Sequence, residues 1–555
     1  MKKRISQHHN QKKYANSKDS ARCRQKHAGD HSPSWKKAPN LAAIEREIKA
    51  AYGIADTFPD SVQSDVSQLS ALTPSEKASL EDLTDLCFVT IDGEDARDFD
   101  DAISVEKHED GWRLLVAIAD VSRYVPKIRK SRLQTLDSEA QTRGNSFYFP
   151  GSVAPMLPPR LSTDLASLRA QTERPVIVCE LLLTDDGFVR KSRFSQARIC
   201  SQARLSYTQV QGLLLKEDPA VKAKMFNHPR AYDILRMLEA ACRLSEILSR
   251  QRELRGSLML RSFEPEYSWN AQGIVTDIHF REHLPSHRLI EEFMILANEA
   301  CAEHLRRVGL PFLYRIHPEP SEEEIAQLET ALHCCGALPA EIRQRALRAR
   351  DLPVLLRSCK GESHEQTVTS LCLRALPKAI YSPENIGHFG LASPCYCHFT
   401  SPIRRYADLL VHRALKYALG CNELLFAHRR LQIVASHLNR QEERAQSAER
   451  MLHKYCAILY MREKVGHDFP AYVSTVTQAG FFVQLKNVPI SGFVAKRLFS
   501  EAVHVDLLKQ RIFNIRTGLS YQLGDPLLVR LIAVVPQTLA INFLPVADAS
   551  KQRLR

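Results

Sequence analysis

The segment TIDGEDARDFDDAI, residues 90–103, places six acidic side chains within ten residues, between the apolar runs LCFV and AISV. Apolar runs of this kind beside charged turns are typical of buried strands, so the segment lies close to the protein interior. Carboxylates crowded there raise one another's pKa unless a cation lies among them, and Arg97 is the single basic residue of the segment. The fold must therefore expose this segment or supply it with positive charge.

Two interpretations of the acidic segment remain open on its residues alone. Hard oxygen ligands in this density suit Mg²⁺, and a pair of such ions can activate water while stabilising the leaving oxygen of a phosphodiester. The alternative is an exposed acidic loop, which the segment alone favours because Asp-rich turns are common. The candidate metal ligands are Asp92, Asp98, Asp100 and Asp101.

A second segment, HFTSPIRRYADLLVHRALKYAL at residues 398–419, predicts a helix with Ser401 as N-cap and Pro402 as first helical residue. Arg404 and Arg405 then fall in the first turn, where cations are unfavourable unless an anion such as phosphate binds there. The alternative is that the arginines pair with Asp408 of the same segment. The flanking histidines, His398 and His412, are expected to be structural rather than catalytic.

Length and charge limit the class of protein. A chain of 555 residues is too long for one core and predicts several domains. No apolar run approaches the roughly 18 residues of a membrane span, so we expect a cytoplasmic protein without membrane association. Of the net charge of +13, residues 1–40 carry +9, from eleven Lys or Arg and two Asp. We expect this basic arm to be disordered and to meet an anionic partner such as nucleic acid, with a solvated tail as the alternative.

Patterning along the chain predicts an α+β protein. Residues 41–84 form a helical and connector segment, and strand patterns begin at Cys87. Helical spacing over 205–255 and 286–350 predicts a domain of mixed sheet and surrounding helices over 85–464. Residues 465–548 alternate in strand fashion and predict a five-stranded barrel of OB type. The 14 cysteines lack zinc-finger spacing and are expected to be free thiols.

Five segments together carry a resemblance to a known family. They are TIDGEDARDFDDAI, FYFPGSVAPMLPPRLSTDLASL, SHRLIEEFMILANE, PFLYRIHPEP and YSPENIGHFGLASPCYCHFTSPIRRYADLLVHR. In order and spacing they resemble motifs of the RNB catalytic domain of the ribonuclease II / ribonuclease R family. Their amino-acid sequences are closer to ribonuclease R than to ribonuclease II. The resemblance covers roughly Glu47 to Val546, and it implies an RNB catalytic domain followed by an S1-type OB-fold barrel.

The resemblance also implies an activity. Family members are exoribonucleases that digest single-stranded RNA from the 3′ end by hydrolysis, release nucleoside 5′-monophosphates and act in RNA turnover and quality control. We therefore expect two Mg²⁺ ions as cofactor, for which Mn²⁺ could substitute, single-stranded RNA as partner, and a monomeric chain. The alternatives are a catalytically silent RNA-binding regulator on the same fold and a DNA nuclease. The presence of all four aspartates and of Arg404 argues against the silent regulator.

The resemblance implies roles for individual residues. Asp92, Asp98, Asp100 and Asp101 match the metal-binding and catalytic aspartates, and Arg404 matches the arginine that clamps the scissile phosphate, with Arg405 beside it. Tyr148 matches the tyrosine that stacks on the 3′-terminal nucleotide, and Tyr207 matches another tyrosine in contact with RNA. Glu291 or Glu292, and Glu449, match carboxylates that lie near the 3′ end of the RNA in the family. Without the motifs, the tyrosines would be packing residues and the glutamates solvated ones. The residues expected to bind RNA are Tyr148, Tyr207, Arg404, Arg405, Glu292, Glu449 and Phe482.

The chain also departs from the family pattern. About 85 residues precede the catalytic domain and show no five-strand pattern, so the usual N-terminal cold-shock domains are expected to be lacking. Leu260 stands where the family commonly has a phenylalanine that stacks on bases. In the last domain Phe482 fits a base-stacking position, but Ala479 and Ala495 replace an aromatic residue and a histidine. RNA binding by that domain is therefore expected to be weak.

Overall fold

The computed structural model describes residues 40–125, 134–214, 218–260, 264–421, 425–499 and 502–546. The basic arm predicted at residues 1–40 lies outside this described part except for Asn40. The α-helices of the described part are α1 Leu41–Ala51, α2 Asp60–Ser67, α3 Pro74–Ser79, α4 Val121–Tyr124, α5 Gln134–Arg143, α6 Tyr207–Leu214, α7 Pro219–Phe226, α8 Ala231–Arg255, α9 Pro285–Val308, α10 Glu322–Cys334, α11 Ala340–Arg343, α12 Leu352–Ser358, α13 Glu365–Ala375, α14 Tyr406–Ala418 and α15 His428–Arg462.

The strands confirm the mixed α+β class. They are β1 Glu81–Asp82, β2 Val89–Asp92, β3 Asp101–His108, β4 Gly111–Ala119, β5 Phe147–Tyr148, β6 Val153–Ala154, β7 Glu173–Leu183, β8 Val189–Cys200, β9 Ala203–Ser206, β10 Pro265–Trp269, β11 Val275–Phe280, β12 Tyr314–Ile316, β13 Ile380–Ser382, β14 Asp468–Thr477, β15 Gly480–Leu485, β16 Ser491–Ala495, β17 His504–Asp506, β18 Arg511–Phe513, β19 Ser520–Gln522, β20 Pro526–Val535 and β21 Ala540–Pro545.

A seven-stranded sheet with the order β1-β8-β7-β4-β3-β2-β9 forms the centre of the larger domain. Its inner neighbours are antiparallel, and the two edge pairs, β1 with β8 and β2 with β9, are parallel. Strand β4 is apolar at almost every position because helices cover both faces of the sheet. Leu114 and Val116 belong to the core on one face, and Leu115 and Ala117 belong to the core on the other.

Helix α14 connects the two cores. Its first turns contribute Tyr406 and Leu410 to the core that also contains α5 and α15, and its later turns contribute Val411 and Leu415 to the core that contains α8 and α9. Since the side chains of α14 are buried all around its first three turns, the polar ones among them need partners inside the protein.

The predicted start of α14 was wrong. The helix begins at Tyr406, with Arg405 in extended conformation as its N-cap, so Ser401 and Pro402 lie in the preceding loop. The Arg405 N–H donates to the Ser401 carbonyl at 3.0 Å and closes a single turn, while the Ile403 N–H donates to Asp100 and the Ser146 N–H donates to the carbonyl of Arg404. The Tyr406 N–H then donates to the carbonyl of Gly144, so this turn is not continuous with α14, and both arginines precede the helix.

The C-terminal region contains the five predicted strands, in the order β14-β15-β16-β21-β20 around a closed barrel. The sequence analysis missed a separate three-stranded sheet, β17-β18-β19, which lies between β16 and β20 in the chain. The core of the barrel includes residues from the last turns of α15 and from α1. Every cysteine in the described ranges is a free thiol, as expected. Across the same ranges, no helix is both long and apolar enough to cross a membrane.

Candidate functional site

The four predicted aspartates meet at one edge of the central sheet. Asp92 ends β2 and Asp101 begins β3, while Asp98 and Asp100 lie in the loop between them. The two strands pair through Val89 and Ile103 and then separate, which opens space for the loop. The acidic segment is therefore held at the sheet and is not a freely exposed loop.

Asp100 joins this edge to the loop before α14. Its side chain is 5% exposed, its Oδ1 accepts the Ile403 N–H at 2.8 Å, and its Oδ2 lies 3.6 Å from Nε of Arg404. The Arg404 guanidinium in turn donates to Oγ of Ser401 at 3.0 Å. A backbone donor and a half-exposed arginine thus converge on the buried carboxylate.

The aspartates carry more negative charge than their surroundings offset. Burial, followed by the nearby Asp101 charge, raises the pKa of Asp92 to about 8. Burial also raises the pKa of Asp101 to about 6 against the opposing effect of Arg404, and raises the pKa of Asp100 well above its usual range. Oδ2 of Asp92 is buried without a hydrogen-bond partner. Such a cluster calls for a cation that the protein itself does not provide.

Two cavities meet at the aspartates. One, of about 260 Å³, is lined by all four of them and is called the aspartate cavity. The other, of about 410 Å³, is lined by Arg281 and Glu282 after the β10–β11 hairpin and is called the hairpin cavity. The residues that line both cavities are Asp92, Asp98, Tyr207 and Arg404.

The chemistry of the aspartate cavity fits hard divalent cations. The four aspartates supply carboxylate oxygens, which are the ligands that Mg²⁺ prefers. Oδ2 of Asp92 is buried there without a hydrogen-bond partner. Within the described ranges, no three His, Cys, Asp or Glu side chains converge closely enough to form a ready-made metal centre. The four carboxylates line one cavity without sharing a coordination centre, and Asp92, Asp98, Asp100 and Asp101 are the residues that would hold an ion there.

Both predicted tyrosines lie at this junction. The Tyr148 side chain is 46% exposed at the end of β5, and its hydroxyl donates to Oδ2 of Asp98 at 2.6 Å. Tyr207 is the first residue of α6, and its ring stacks on His287 with centroids 4.0 Å apart and planes 20° apart. Flat rings beside an arginine offer surfaces on which nucleobases can stack.

Two other predicted RNA contacts have ionic partners inside the protein, and of these Arg405 also lines the aspartate cavity. Arg405 forms two hydrogen bonds of 2.8 Å to the carboxylate of Asp408, which is the pairing that the sequence left open. Glu292 is buried and paired with Arg252 at 2.9 Å, and it does not line the aspartate cavity, whereas Glu291 does. Of the two glutamates that the motif allows, the geometry favours Glu291.

The remaining predicted contacts lie away from the aspartates. Glu449 is exposed on α15, and Phe482 is 41% exposed on β15, with its ring 4.9 Å from that of Phe493. Neither side chain lines either cavity.

Sequence reasoning missed several residues at the junction. His398 lines the aspartate cavity, and its Nδ1 lies 2.8 Å from the Tyr381 hydroxyl. Burial, together with Arg405, holds the pKa of His398 well below its usual range, so the ring is neutral and supports the expectation of a structural role. His287 and Arg281 line the hairpin cavity. His287 belongs to the motif SHRLIEEFMILANE and His398 to the motif that ends in SPIRRYADLLVHR, whereas Arg281 lies in none of the five motifs.

Comparison with known proteins gives consistent matches. A sequence model described as the RNB domain matches residues 80–420. The ribonuclease R of Escherichia coli strain K12 is 38% identical over 501 residues, which are 88% of this chain and 60% of that protein. The chain thus spans about 60% of the length of this curated relative. The predicted domain boundaries, 41–84, 85–464 and 465–548, stay predictions.

Solved structures share the fold. The Mycoplasma genitalium RNase R in complex with ribose methylated single-stranded RNA superposes with a TM-score of 0.84 at 29% identity, covering 91% of this chain and 78% of that one. Yeast Ssd1, described as a pseudonuclease, superposes with a TM-score of 0.68 at 18% identity, covering 86% of this chain and 58% of that one. The second likeness concerns the fold alone.

Proposed function

The chain belongs to the RNB family, and from this membership we propose that it is a 3′-to-5′ exoribonuclease that hydrolyses single-stranded RNA to nucleoside 5′-monophosphates. The observation that supports this proposal most strongly is the under-compensated aspartate cluster beside Arg404, at the junction of two cavities. The direction of digestion and the product are inferred from the family.

In the proposed reaction, the chain's residues bind and orient the RNA end. Asp92, Asp98, Asp100 and Asp101 would hold Mg²⁺, which supplies the Lewis acidity for attack of water on the phosphodiester. The Arg404 guanidinium, 43% exposed and directed at the junction, would contact a phosphate oxygen and offset the charge that develops there. The Ile403 N–H holds Oδ1 of the Asp100 carboxylate in place before RNA binds.

The aromatic rings would position the RNA bases. The exposed face of Tyr148 is suited to stacking on the 3′-terminal base, and the stacked pair of Tyr207 and His287 forms a wall of the hairpin cavity. Glu291 lies in the aspartate cavity, where its carboxylate can accept hydrogen bonds from ribose hydroxyl groups.

We further propose that the C-terminal barrel is an S1-type domain that binds RNA. Its strand order fits an OB-type barrel, and Phe482 and Phe493 present adjacent rings on neighbouring strands. Because alanines occupy positions 479 and 495, its grip on RNA is expected to be weaker than that of a barrel with more aromatic residues.

The test is digestion of a 5′-labelled single-stranded oligoribonucleotide in Mg²⁺, with sizing of the labelled products over time. The proposal expects a ladder that shortens from the 3′ end, release of 5′-mononucleotides, and no digestion in EDTA. A matched DNA strand should resist. Internal cuts, or equal digestion of DNA, would contradict the proposal.

One observation supports a second candidate, an RNA-binding protein without catalysis. Yeast Ssd1 shares the fold and is described as a pseudonuclease, so the fold alone does not guarantee cleavage. The four aspartates and Arg404 favour the enzyme in this chain. RNA binding without any shortening of the label, in Mg²⁺ and in Mn²⁺, would favour the second candidate.

A further inference from the structure

Helix α1 has no role in the site described above, and it precedes the residues 80–420 that match the family. It is nevertheless firmly packed. Leu41, Ile44 and Ile48 are buried in a core that also contains Phe147 and Phe149, the two residues that flank Tyr148. The helix therefore lies against the back of the strand that carries the tyrosine.

Both ends of α1 are fixed by distant parts of the chain. At its start, the Leu41 N–H donates to the carbonyl of Gly273 in the β10–β11 turn at 2.8 Å. At its end, Nε of Arg444 on α15 donates to the carbonyl of Tyr52 at 2.7 Å. Such a cation at the C-terminus of a helix satisfies carbonyl groups that lack helical partners. The helix is thus held in a defined position relative to the cavities.

The middle of α1 forms hydrogen bonds with the turn that follows Tyr148. Oε1 of Glu45 accepts the Gly151 N–H at 2.7 Å, and Oε2 accepts the Ser152 hydroxyl at 2.6 Å. Nζ of Lys49, one turn along the helix, donates to the same Ser152 hydroxyl at 2.8 Å. Glu45 is 4% exposed and Lys49 is 8% exposed, and Nζ of Lys49 also pairs with Oδ1 of Asp56 at 2.8 Å, so both side chains are held at this contact.

The helix and the turn approach each other closely at residue 151, where a side chain would have to displace its neighbours by a few tenths of an ångström. A Cβ added to Gly151 would lie 3.2 Å from Oε1 of Glu45 and 3.3 Å from Cδ2 of Leu41. The turn itself is closed by a hydrogen bond of 2.9 Å from the Phe149 N–H to the carbonyl of Ser152. A rigid turn is therefore docked on a rigid helix.

The alternation of side chains along β5 links the packing against α1 to the orientation of Tyr148. Phe147 and Phe149 point into the core beside α1, so the intervening Tyr148 points to the opposite side, where its hydroxyl meets Asp98. The position of the turn on α1 thereby determines how far the Tyr148 ring extends into the hairpin cavity.

We propose that α1 is a positioning element for Tyr148, and that Glu45, with Lys49, sets the shortest RNA that the enzyme can hold for cleavage. The inference rests on the proposed exoribonuclease function. Glu45 and Lys49 are positioning residues, because they touch the turn and not the RNA.

The test compares Glu45→Ala with Glu47→Ala, an exposed glutamate of the same helix that serves as matched control. Full-length proteins digest a 5′-labelled single-stranded RNA, and the smallest labelled product is sized. Tyr148→Ala is expected to lengthen this product by about one nucleotide, because one stacking contact is lost. Glu45→Ala should lengthen it equally, and Glu47→Ala should leave it unchanged.

Two further measurements separate positioning from general stability. The double variant Glu45→Ala/Tyr148→Ala should give the same product as Tyr148→Ala alone, since both changes remove the same contact. Glu45→Gln, whose amide oxygen can still accept the Gly151 N–H, should restore the wild-type product. On long RNA, kcat should change less than about threefold, because Arg404 and the aspartates are untouched.

The outcomes distinguish the inference from the function on which it rests. A folded Glu45→Ala protein with the wild-type end product would overturn the positioning role, as would a double variant whose product is longer than that of either single variant. If melting shows that Glu45→Ala does not fold, Ser152→Ala removes the shared hydroxyl alone and must shift the end product in the same direction. A wild-type chain that digests no RNA overturns the proposed function itself.

Discussion

Two sets of aspartates lie beside α14, and they differ in their partners. In the first set, every carboxylate contacts a basic side chain: Asp120 with Lys416 at 3.1 Å, Asp137 with Arg413 at 2.5 Å, and Asp408 with Arg405 at 2.8 Å. In the second set, Asp92, Asp98, Asp100 and Asp101 share Arg404, which approaches to 3.6 Å of Asp100.

The pKa values express this difference. Burial alone would raise the pKa of Asp120, but Lys416 and the Ser122 hydroxyl hold it below its usual value. The pKa of Asp92 instead rises to about 8. Paired buried charges are a stable part of a core, whereas unpaired ones persist where function requires them. The first set is therefore expected to support the fold, and the second set is the one that we propose to bind ions.

The largest expected effect is on catalysis at the unpaired set. Asp100→Asn should abolish RNA cleavage while RNA affinity stays within a few-fold, because the change removes charge from the metal site and leaves the tyrosines and Arg404 in place. Asp95→Asn, an exposed aspartate of the same loop, is the control and should cleave normally. Activity of Asp100→Asn within tenfold of wild type would refute the assignment.

The next effect is on stability at the paired set. Asp137→Asn leaves the Arg413 guanidinium, 2% exposed, without its carboxylate, and should lower the free energy of unfolding by about 3–5 kcal/mol. Asp100→Asn should leave the metal-free protein as stable as wild type or more so, since the amide oxygen can still accept the Ile403 N–H and a buried carboxylate among other carboxylates is replaced by a neutral group. Urea denaturation in EDTA measures both variants, and equal losses would remove the distinction between the two sets.

The smallest expected effect is the pH dependence of the metal-free protein. The folded-state pKa values of Asp92 and Asp101, about 8 and about 6, lie above the ordinary Asp value of about 4. Between pH 4 and 8 the folded state thus binds more protons than the unfolded state, so its stability falls as pH rises. Asp92→Asn should flatten this fall in urea midpoints measured in EDTA. Mg²⁺ at 100 times its Kd should add about 2.7 kcal/mol at pH 8. An unchanged pH profile in Asp92→Asn would contradict the raised pKa.

The two sets also differ in how far the sequence predicts them. The aspartates of the proposed metal site are neighbours in the chain, so their crowding is visible before any fold is known. The partners of the paired set are far apart, as with Asp120 and Lys416, and no local pattern links them. The same limit applies to Glu45 and Gly151, which are separated by more than a hundred residues.

Local signals also failed where tertiary contacts outweighed them. Ser401 and Pro402 are good helix-starting residues, but Asp408 accepts the Ser401 N–H at 2.8 Å and Asp100 accepts the Ile403 N–H. Together with the bond from the Tyr406 N–H to the Gly144 carbonyl, these bonds separate the turn that starts at Ser401 from α14, which begins at Tyr406. The strands around the acidic segment were predicted correctly, because their apolar patterns reflect burial on both faces of one sheet.

The central claim is that the unpaired aspartates form a divalent metal site. Isothermal titration of the metal-free protein with Mg²⁺, in the absence of RNA, tests it directly. The account predicts saturable binding in wild type and in Asp95→Asn, and loss of that binding in Asp100→Asn. Absence of saturable binding in wild type, or equal binding in Asp100→Asn, would contradict it.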